Sequence, residues 1–116
     1  MELIYLAAPY SHPDEKVVEQ RIAQLCRVDA ILMERGQLTF SPLLKHFVRQ
    51  YGNLPGNWEY WQNFCKATLP KCNQMYIVAI DGWQESTGVK EEKKIAEMLN
   101  IPIFLCSTEG FLITKL

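Results

Sequence analysis

Residues 72–96, C-N-Q-M-Y-I-V-A-I-D-G-W-Q-E-S-T-G-V-K-E-E-K-K-I-A, decide the fold. The apolar run from Met75 to Ile80 reads as a buried strand, and Asp81-Gly82 as a turn. Ser86-Thr87-Gly88 follows as a polar loop, opening a helix with Glu91 and Glu92 near its start. A strand, a glycine-containing loop and a helix N-terminus in that order form an anion-binding corner, because the first amides of a helix have no partner within it. A carboxylate one turn further in can face the same ligand.

Working outward, Leu3 to Ala8 predicts a short buried strand that Pro9 ends, since proline cannot donate to a sheet ladder. Ser11-His12-Pro13-Asp14 predicts a helix start, with Ser11 as cap, Asp14 as its capping-box partner and Pro13 in the first turn. Val18, Ile22, Leu25, Asp29 and Leu32 follow at helical spacing, with Asp29 alone breaking the apolar face. Gly36 suits the helix stop after Glu34 or Arg35. Leu38 to Ser41 is a second strand, so the helix between is a crossover and a right-handed βαβ unit is expected.

Residues 43–51 predict a short helix, and 52–57 a loop by composition, either a lid or plain surface. Trp58, Trp61, Phe64, Cys65, Leu69 and Cys72 mark the next helix, aromatic enough either to fill the core or to meet a second subunit. Met75–Ile80 is the third strand, Gly88–Leu99 the last long helix and Ile101–Leu105 the fourth strand. Phe111 to Ile113 adds an edge strand or packs across the sheet. The expected fold is α/β: a single three-layer domain, flavodoxin- or Rossmann-like, with a parallel sheet of four to five strands between helices. Ligands of such sheets bind beyond the carboxyl ends of the strands, where strand order reverses. Ala7–His12, Ser41–His46 and Asp81–Gly88 all fall on that edge.

Bulk properties narrow the function. The chain has 116 residues, 48% hydrophobic and 22% charged, with 12 basic and 13 acidic residues and a formal net charge of −1. That balance gives no electrostatic case for nucleic acid as partner. No stretch nears the roughly 20 apolar residues needed to span a membrane, and the N-terminal run lacks the basic flank of a signal peptide. Cys26, Cys65, Cys72 and Cys106 show no C-x-x-C or Cys/His zinc spacing. Reduced, mostly buried thiols in a cytoplasmic protein without metal or other cofactor are therefore expected. The glycine loop is neither G-x-G-x-x-G nor a P-loop, and no G-x-S-x-G elbow is present, which disfavours dinucleotide redox chemistry, ATP hydrolysis and serine hydrolysis.

Of the residues on the ligand edge, Glu92 has most to recommend it. Near a helix start, the helix field and local donors are expected to favour its ionised form, which suits a nucleophile or base; the competing reading is a solvated glutamate among Lys90, Glu91, Lys93 and Lys94. Ser86 and Gly88 either hold a phosphate or simply cap the helix. Tyr5 either fills the core or points toward the pocket, where a carboxylate would satisfy its hydroxyl. Ala8, Tyr10, Ser11 and His12 end the first strand within reach of a ligand. Arg21, on the following helix, either reaches a phosphate or forms a surface salt bridge. His46 is placed at the pocket rim, Asp81 near the ligand edge, and Trp83 either stacks on a base or covers the sheet.

The sequence order I-Y-L-A-A-P-Y-S (4–11), F-S-P (40–42), W-x-x-W (58–61) and D-G-W-x-x-S-x-G-V-x-x-E (81–92) resembles the nucleoside 2-deoxyribosyltransferase superfamily, over roughly residues 3–106. The resemblance is to its small bacterial and phage branch, and to the nucleoside 5'-monophosphate N-glycosidases within it. It implies cleavage or transfer of an N-glycosidic bond in a nucleotide or nucleoside. By resemblance Glu92 is the nucleophile, Tyr5 orients it, Ser86 and Gly88 contact a 5'-phosphate, and Trp61, Cys65 and Trp83 lie on the base side. The family's aspartate four residues after the tryptophan matching Trp61 is here Cys65, and its Asp before the third strand is Asn73. Ser11 stands where some relatives have an arginine used for phosphate, so Arg21 or His12 would have to compensate; with Cys65 in place of the aspartate, the chain hydrolyses slowly, uses Asp81 or Asn63 in altered roles, or only binds. The superfamily commonly builds its pocket from two subunits, which implies a homodimer or higher homo-oligomer. The rival reading is a nucleotide-binding module of the same fold with little or no turnover.

Overall fold

Strand β1 (Leu3–Ala7) lies at the centre of the sheet, and its alternation organises both layers around it. Ile4 and Leu6, with Ala8 just beyond, pack beneath helix α1 (Glu15–Glu34), against Leu25, Val28 and Leu32. Tyr5 and Ala7 face the opposite layer with Met75, Ile77, Val89 and Ala96. Period-two alternation therefore sends Tyr5 to the layer that also holds Glu92. The computed structural model describes residues 2–116.

The remaining elements are β2 (Leu38–Phe40), a 3-10 turn (Pro42–Lys45) leading into α2 (His46–Tyr51), and α3 (Trp58–Thr68) followed by a 3-10 turn (Leu69–Lys71). They are followed by β3 (Gln74–Val78), α4 (Thr87–Met98), β4 (Ile103–Cys106) and β5 (Leu112–Lys115). The sheet order is β2-β1-β3-β4-β5. The first four strands are parallel, with Tyr5 beside Phe40 on one side and Met75 on the other, and Met75 beside Ile103. The chain leaves β1 in one direction to form β2 and returns past it to form β3. The reversal of strand order thus falls between β1 and β3, and a crevice opens at their carboxyl ends. This is the expected three-layer, flavodoxin- or Rossmann-like α/β fold. Among the described residues no helix is long and apolar enough to cross a membrane.

Two expectations need correction. The sheet is mixed: Ser107 accepts the amides of Glu109 and Phe111, Gly110 takes φ +84°, and β5 returns antiparallel to β4 as the edge strand. Ser11 does not cap α1. Asp14 does, accepting from the Lys16 amide at 2.9 Å with Pro13 left just outside, while the Ser11 hydroxyl is engaged by the Gly56 carbonyl. Cys26 is exposed on the outer side of α1, while Cys65, Cys72 and Cys106 are buried thiols. Asp29, the break in the apolar stripe of α1, is buried and accepts from the Thr39 hydroxyl of β2, so the polar group is satisfied where it is buried.

Leu25 is fully buried between α1 and the sheet, whereas the adjacent Cys26 is exposed. Leu25→Ala is expected to lower unfolding free energy by about 2–5 kcal/mol in urea titration through the lost transfer and cavity terms. Cys26→Ala should stay within about 0.5 kcal/mol of the parent. Equal effects would contradict the placement of this helix face.

Candidate active site

At the carboxyl edge between β1 and β3 the chain encloses an open cavity of about 820 Å³. Its walls are the loop after β1, the segment from Pro42 into α2, the start of α3 with the preceding loop, and the turn from Asp81 to Gly88. Glu92 and Cys65 reach it from α4 and α3.

The start of α4 is made by its own sequence. Ser86 has extended backbone and its Oγ accepts from the Val89 amide at 3.2 Å, so the helix opens directly on the cavity. A methyl group placed on Gly88 would lie 3.9 Å from both Glu92 Oε1 and Ser86 Oγ, in ordinary contact. The serine hydroxyl, the glycine and the carboxylate therefore meet at one point. Val89, Glu92 and Ala96 share the buried stripe of α4, and Glu92 is only 6% exposed. The solvated-glutamate reading is thereby excluded.

Across the layer, the Tyr5 hydroxyl donates to Glu92 Oε2 at 2.5 Å, in the range of a charge-assisted bond. Oε2 is engaged by the phenol, while Oε1 is the oxygen on the Gly88 side. Burial raises the Glu92 pKa from 4.5 to about 7, and the Tyr5 bond offsets only part of that rise. This corrects the expectation that the helix field and local donors hold the carboxyl in the ordinary ionised range: in the second turn, desolvation outweighs them. Burial, and secondarily the Glu92 charge, push Tyr5 far above the ordinary tyrosine value, so it remains a phenol and a donor. Burial and the same charge push the Cys65 thiol up to about 12. One carboxyl group, one phenol and one thiol thus share the floor, and only the carboxyl changes charge near neutrality.

Arg21 is the fixed cation of the upper wall. It forms no ion pair among the described residues; its guanidinium donates to the carbonyls of Tyr10, Ser11 (2.9 Å) and Asp81, tying the β1 loop to the β3 loop. Its Nε is buried without a partner among those residues. Gly82 makes this possible: at φ +94°, a Cβ there would stand 2.4 Å from Arg21 Nη2. Asp81 reaches the cavity rim with an exposed side chain. Ser11, freed from capping, donates to the Gly56 carbonyl at 2.7 Å, and Trp61 Nε1 donates to the Pro55 carbonyl at 2.7 Å. The loop over residues 52–57 is thus pinned as a wall from two sides.

Ala8, Tyr10, Ser11, Arg21, His46, Trp61, Cys65, Asp81, Ser86, Gly88 and Glu92 all line the cavity, and Tyr5 meets it through Glu92. Two expected residues do not. His12 turns back to accept the Asp14 amide on its Nδ1, and Trp83, just after the Gly82 turn, packs against the core layer that holds Tyr5 and Val89. Arg49, Trp58, Glu59 and Glu85 line the cavity unforeseen. Arg49 lies three residues after His46 in one short helix, a spacing that places both on one face.

Residues 2–108 match the model of a family described as a domain of unknown function, DUF1937. The chain belongs to that family. No curated protein matches the sequence. Among solved structures, a 2-deoxyribosyltransferase from the psychrotolerant bacterium Bacillus psychrosaccharolyticus, described as a biocatalyst for synthesis of antiviral and antitumoral nucleosides, superposes with a TM-score of 0.58. Identity is 22%, over 97% of the DUF1937 chain and 77% of that chain, a likeness of fold.

The raised pKa of Glu92 ties stability to pH. The native DUF1937 protein holds this proton more tightly than the unfolded chain does, so native-state stability falls as pH rises from 4.5 to about 7 and is level above. Glu92→Gln, an uncharged isostere of the protonated acid, is expected to gain stability relative to the parent across that window, by about 3 kcal/mol at most. Chemical denaturation at closely spaced pH values measures it; a gap that does not widen with pH would show that Glu92 is not desolvated.

Proposed function

We propose that this DUF1937 protein cleaves, or transfers, the N-glycosidic bond of a nucleotide or nucleoside, with Glu92 as nucleophile. The observation that carries the reading is the buried Glu92 carboxyl, held by Tyr5 through Oε2, with Oε1 beside Ser86 and Gly88 at a helix N-terminus. The resemblance of the 4–11 and 81–92 motifs to nucleoside 2-deoxyribosyltransferases supports it, as does the fold shared with one of them.

In the reaction, Oε1 bonds to the anomeric carbon as the bond from that carbon to the base nitrogen breaks. The electron pair leaves with the base, which takes up a proton. The sugar carries cationic character as the base departs, and a fixed anion in a poorly hydrated site stabilises it. Water then attacks the glycosyl ester to release the sugar and regenerate the carboxylate, or a second base takes the sugar. Tyr5 remains a neutral donor throughout, steadying Oε2. A 5'-phosphate fits at the start of α4, with the Ser86 hydroxyl and the Gly88 amide as contacts and Arg21 as the nearby positive charge. Trp61 and Cys65 form the base side, with Asp81 at the rim. The same reading places the protein in the cytoplasm as a homodimer or higher homo-oligomer, with no cofactor; exposed Tyr60 on α3 and Phe47 and Tyr51 on α2 support an association surface. Cys65 favours the second reading, a nucleotide-binding module with little turnover, because a thiol pushed up to about 12 lends no proton to a departing base.

One experiment separates them. The protein is incubated with ribo- and deoxyribonucleosides and their 5'-monophosphates, and free base is followed by chromatography beside Glu92→Ala. Base release by the parent alone is expected, with a rate rising as pH passes about 7, where Glu92 ionises, and levelling above. Saturable binding without release selects the binding module, and equal traces from both proteins sink the enzymatic reading.

A further inference from the structure

On the cavity wall opposite α4, four side chains from three elements form one hydrogen-bonded line. Glu15, at the start of α1, accepts from Arg49 Nη2 at 2.9 Å, which fixes the guanidinium. Arg49 Nε then donates to the Tyr10 hydroxyl oxygen at 2.5 Å, and that oxygen lies 2.6 Å from His46 Nδ1. Gly56 closes the outer side: a methyl group there would stand 3.2 Å from Arg49 Cδ and 3.4 Å from the Tyr10 ring. His46 is 4% exposed and lines the cavity. No hydrogen bond reaches its Nε2 among the described residues, which leaves that nitrogen for a ligand of the cavity that His46 lines.

A guanidinium only donates, so Arg49 sets the direction of the line. With its oxygen taken up by the Arg49 N–H, the Tyr10 phenol has its own proton to give, and the one acceptor in reach is His46 Nδ1. Burial keeps that proton on Tyr10 by raising its pKa, against the opposing pull of Arg49. An imidazole that accepts at Nδ1 carries its proton on Nε2 when neutral.

We propose that Glu15, Arg49 and Tyr10 are positioning residues that fix His46 as the Nε2–H tautomer, so that this wall of the cavity offers its ligand a hydrogen-bond donor. The ligand chemistry this selects is an acceptor edge, a ring nitrogen or carbonyl oxygen of a heterocyclic base, in place of an amino group. The ligand half of the inference rests on the nucleotide reading above; the tautomer half does not. In the glycosidase reaction such a donor also meets the electron pair that the base carries away, a service the Cys65 thiol does not perform.

Imidazole nitrogen NMR of ligand-free protein at about pH 8, above the ordinary histidine range, reads the tautomer directly. The parent is expected to show His46 with a bare Nδ1 and a protonated Nε2. Tyr10→Phe and Arg49→Met, each checked for folding by circular dichroism, should move both nitrogen signals toward the average of two exchanging tautomers. A purely structural role for these residues would leave the signals in place. A protonated Nδ1 in the parent, or signals unmoved in both variants, overturns the proposal. Saturation with the nucleoside monophosphate of the panel that binds most tightly should then shift the Nε2 resonance and leave Nδ1 unmoved. An unmoved Nε2 overturns the donor role. If every monophosphate fails to bind, the nucleotide reading falls together with the ligand half, while the tautomer stands or falls on the free protein.

Discussion

The contact between Tyr5 and Glu92 joins the first strand to the last long helix across 87 positions of sequence, and the site depends on it. A carboxyl buried on the inner stripe of α4 costs free energy unless it is hydrogen-bonded, and a fully buried phenol has the same need. Each satisfies the other. The pair also specifies: α4 must dock with Glu92 over β1, so the helix cannot rotate by one residue without burying Glu91 or Lys93 unpaired. The residue that costs stability is thus the one that sets the register of α4 on the sheet. Its desolvation brings the carboxyl to a value near neutrality, where both its protonated and its ionised forms are populated.

Much of this was legible in the chain, and the failures have physical causes. The order of strands and helices followed from apolar runs and from Pro and Gly at their ends, and Gly36, at φ +82°, stops α1 after Glu34 as its position suggests. The burial of Glu92 was legible in phase, since it falls three residues after Val89 and four before Ala96. It was obscured by the charges around it, which resemble a solvated face. Its charge state was not legible, because the helix field is a local quantity and desolvation is set by elements far away in sequence. The cap of α1 was misplaced for a smaller reason: Ser11 and Asp14 both qualify by type, and the need of the 52–57 loop for a donor decides between them. The antiparallel return of β5 rests on Gly110 and on Ser107 side-chain bonds, which alternation of apolar residues does not report.

The upper wall shows how one arginine replaces several contacts. Arg21 holds the carbonyls of two loops that leave neighbouring strands, and Gly82 gives it the space. Because Arg21 occupies those carbonyls, the loops after β1 and β3 have a fixed separation, and the distance from Tyr10 to Ser86 is a property of the scaffold. Ser11 and Trp61 carry the same rigidity to the 52–57 loop, which a composition rich in Gly and Asn marks as mobile. Preorganisation of this kind lets a site meet a ligand without ordering its walls first.

Cys65 bears on the chemistry from both directions. An aspartate at that position, as the resemblance leads one to expect, would set a second carboxyl beside Glu92 and Tyr5 on the dry floor. Two carboxylates there repel, and one of them takes up a proton to relieve the repulsion. A thiol pushed up to about 12 carries no charge at neutral pH, so Glu92 bears the burden of burial alone and ionises near 7. On the proposed glycosidase reading the nucleophile is easier to charge as a result, and the site gives up the proton that an aspartic acid could lend to the departing base. On that same reading, assistance to the base comes from the other wall, where Arg49 and Tyr10 line up on His46, or from water. A cysteine in that place would, on the proposed reading, move the division between charge and proton donor from one floor to two walls of the same cavity.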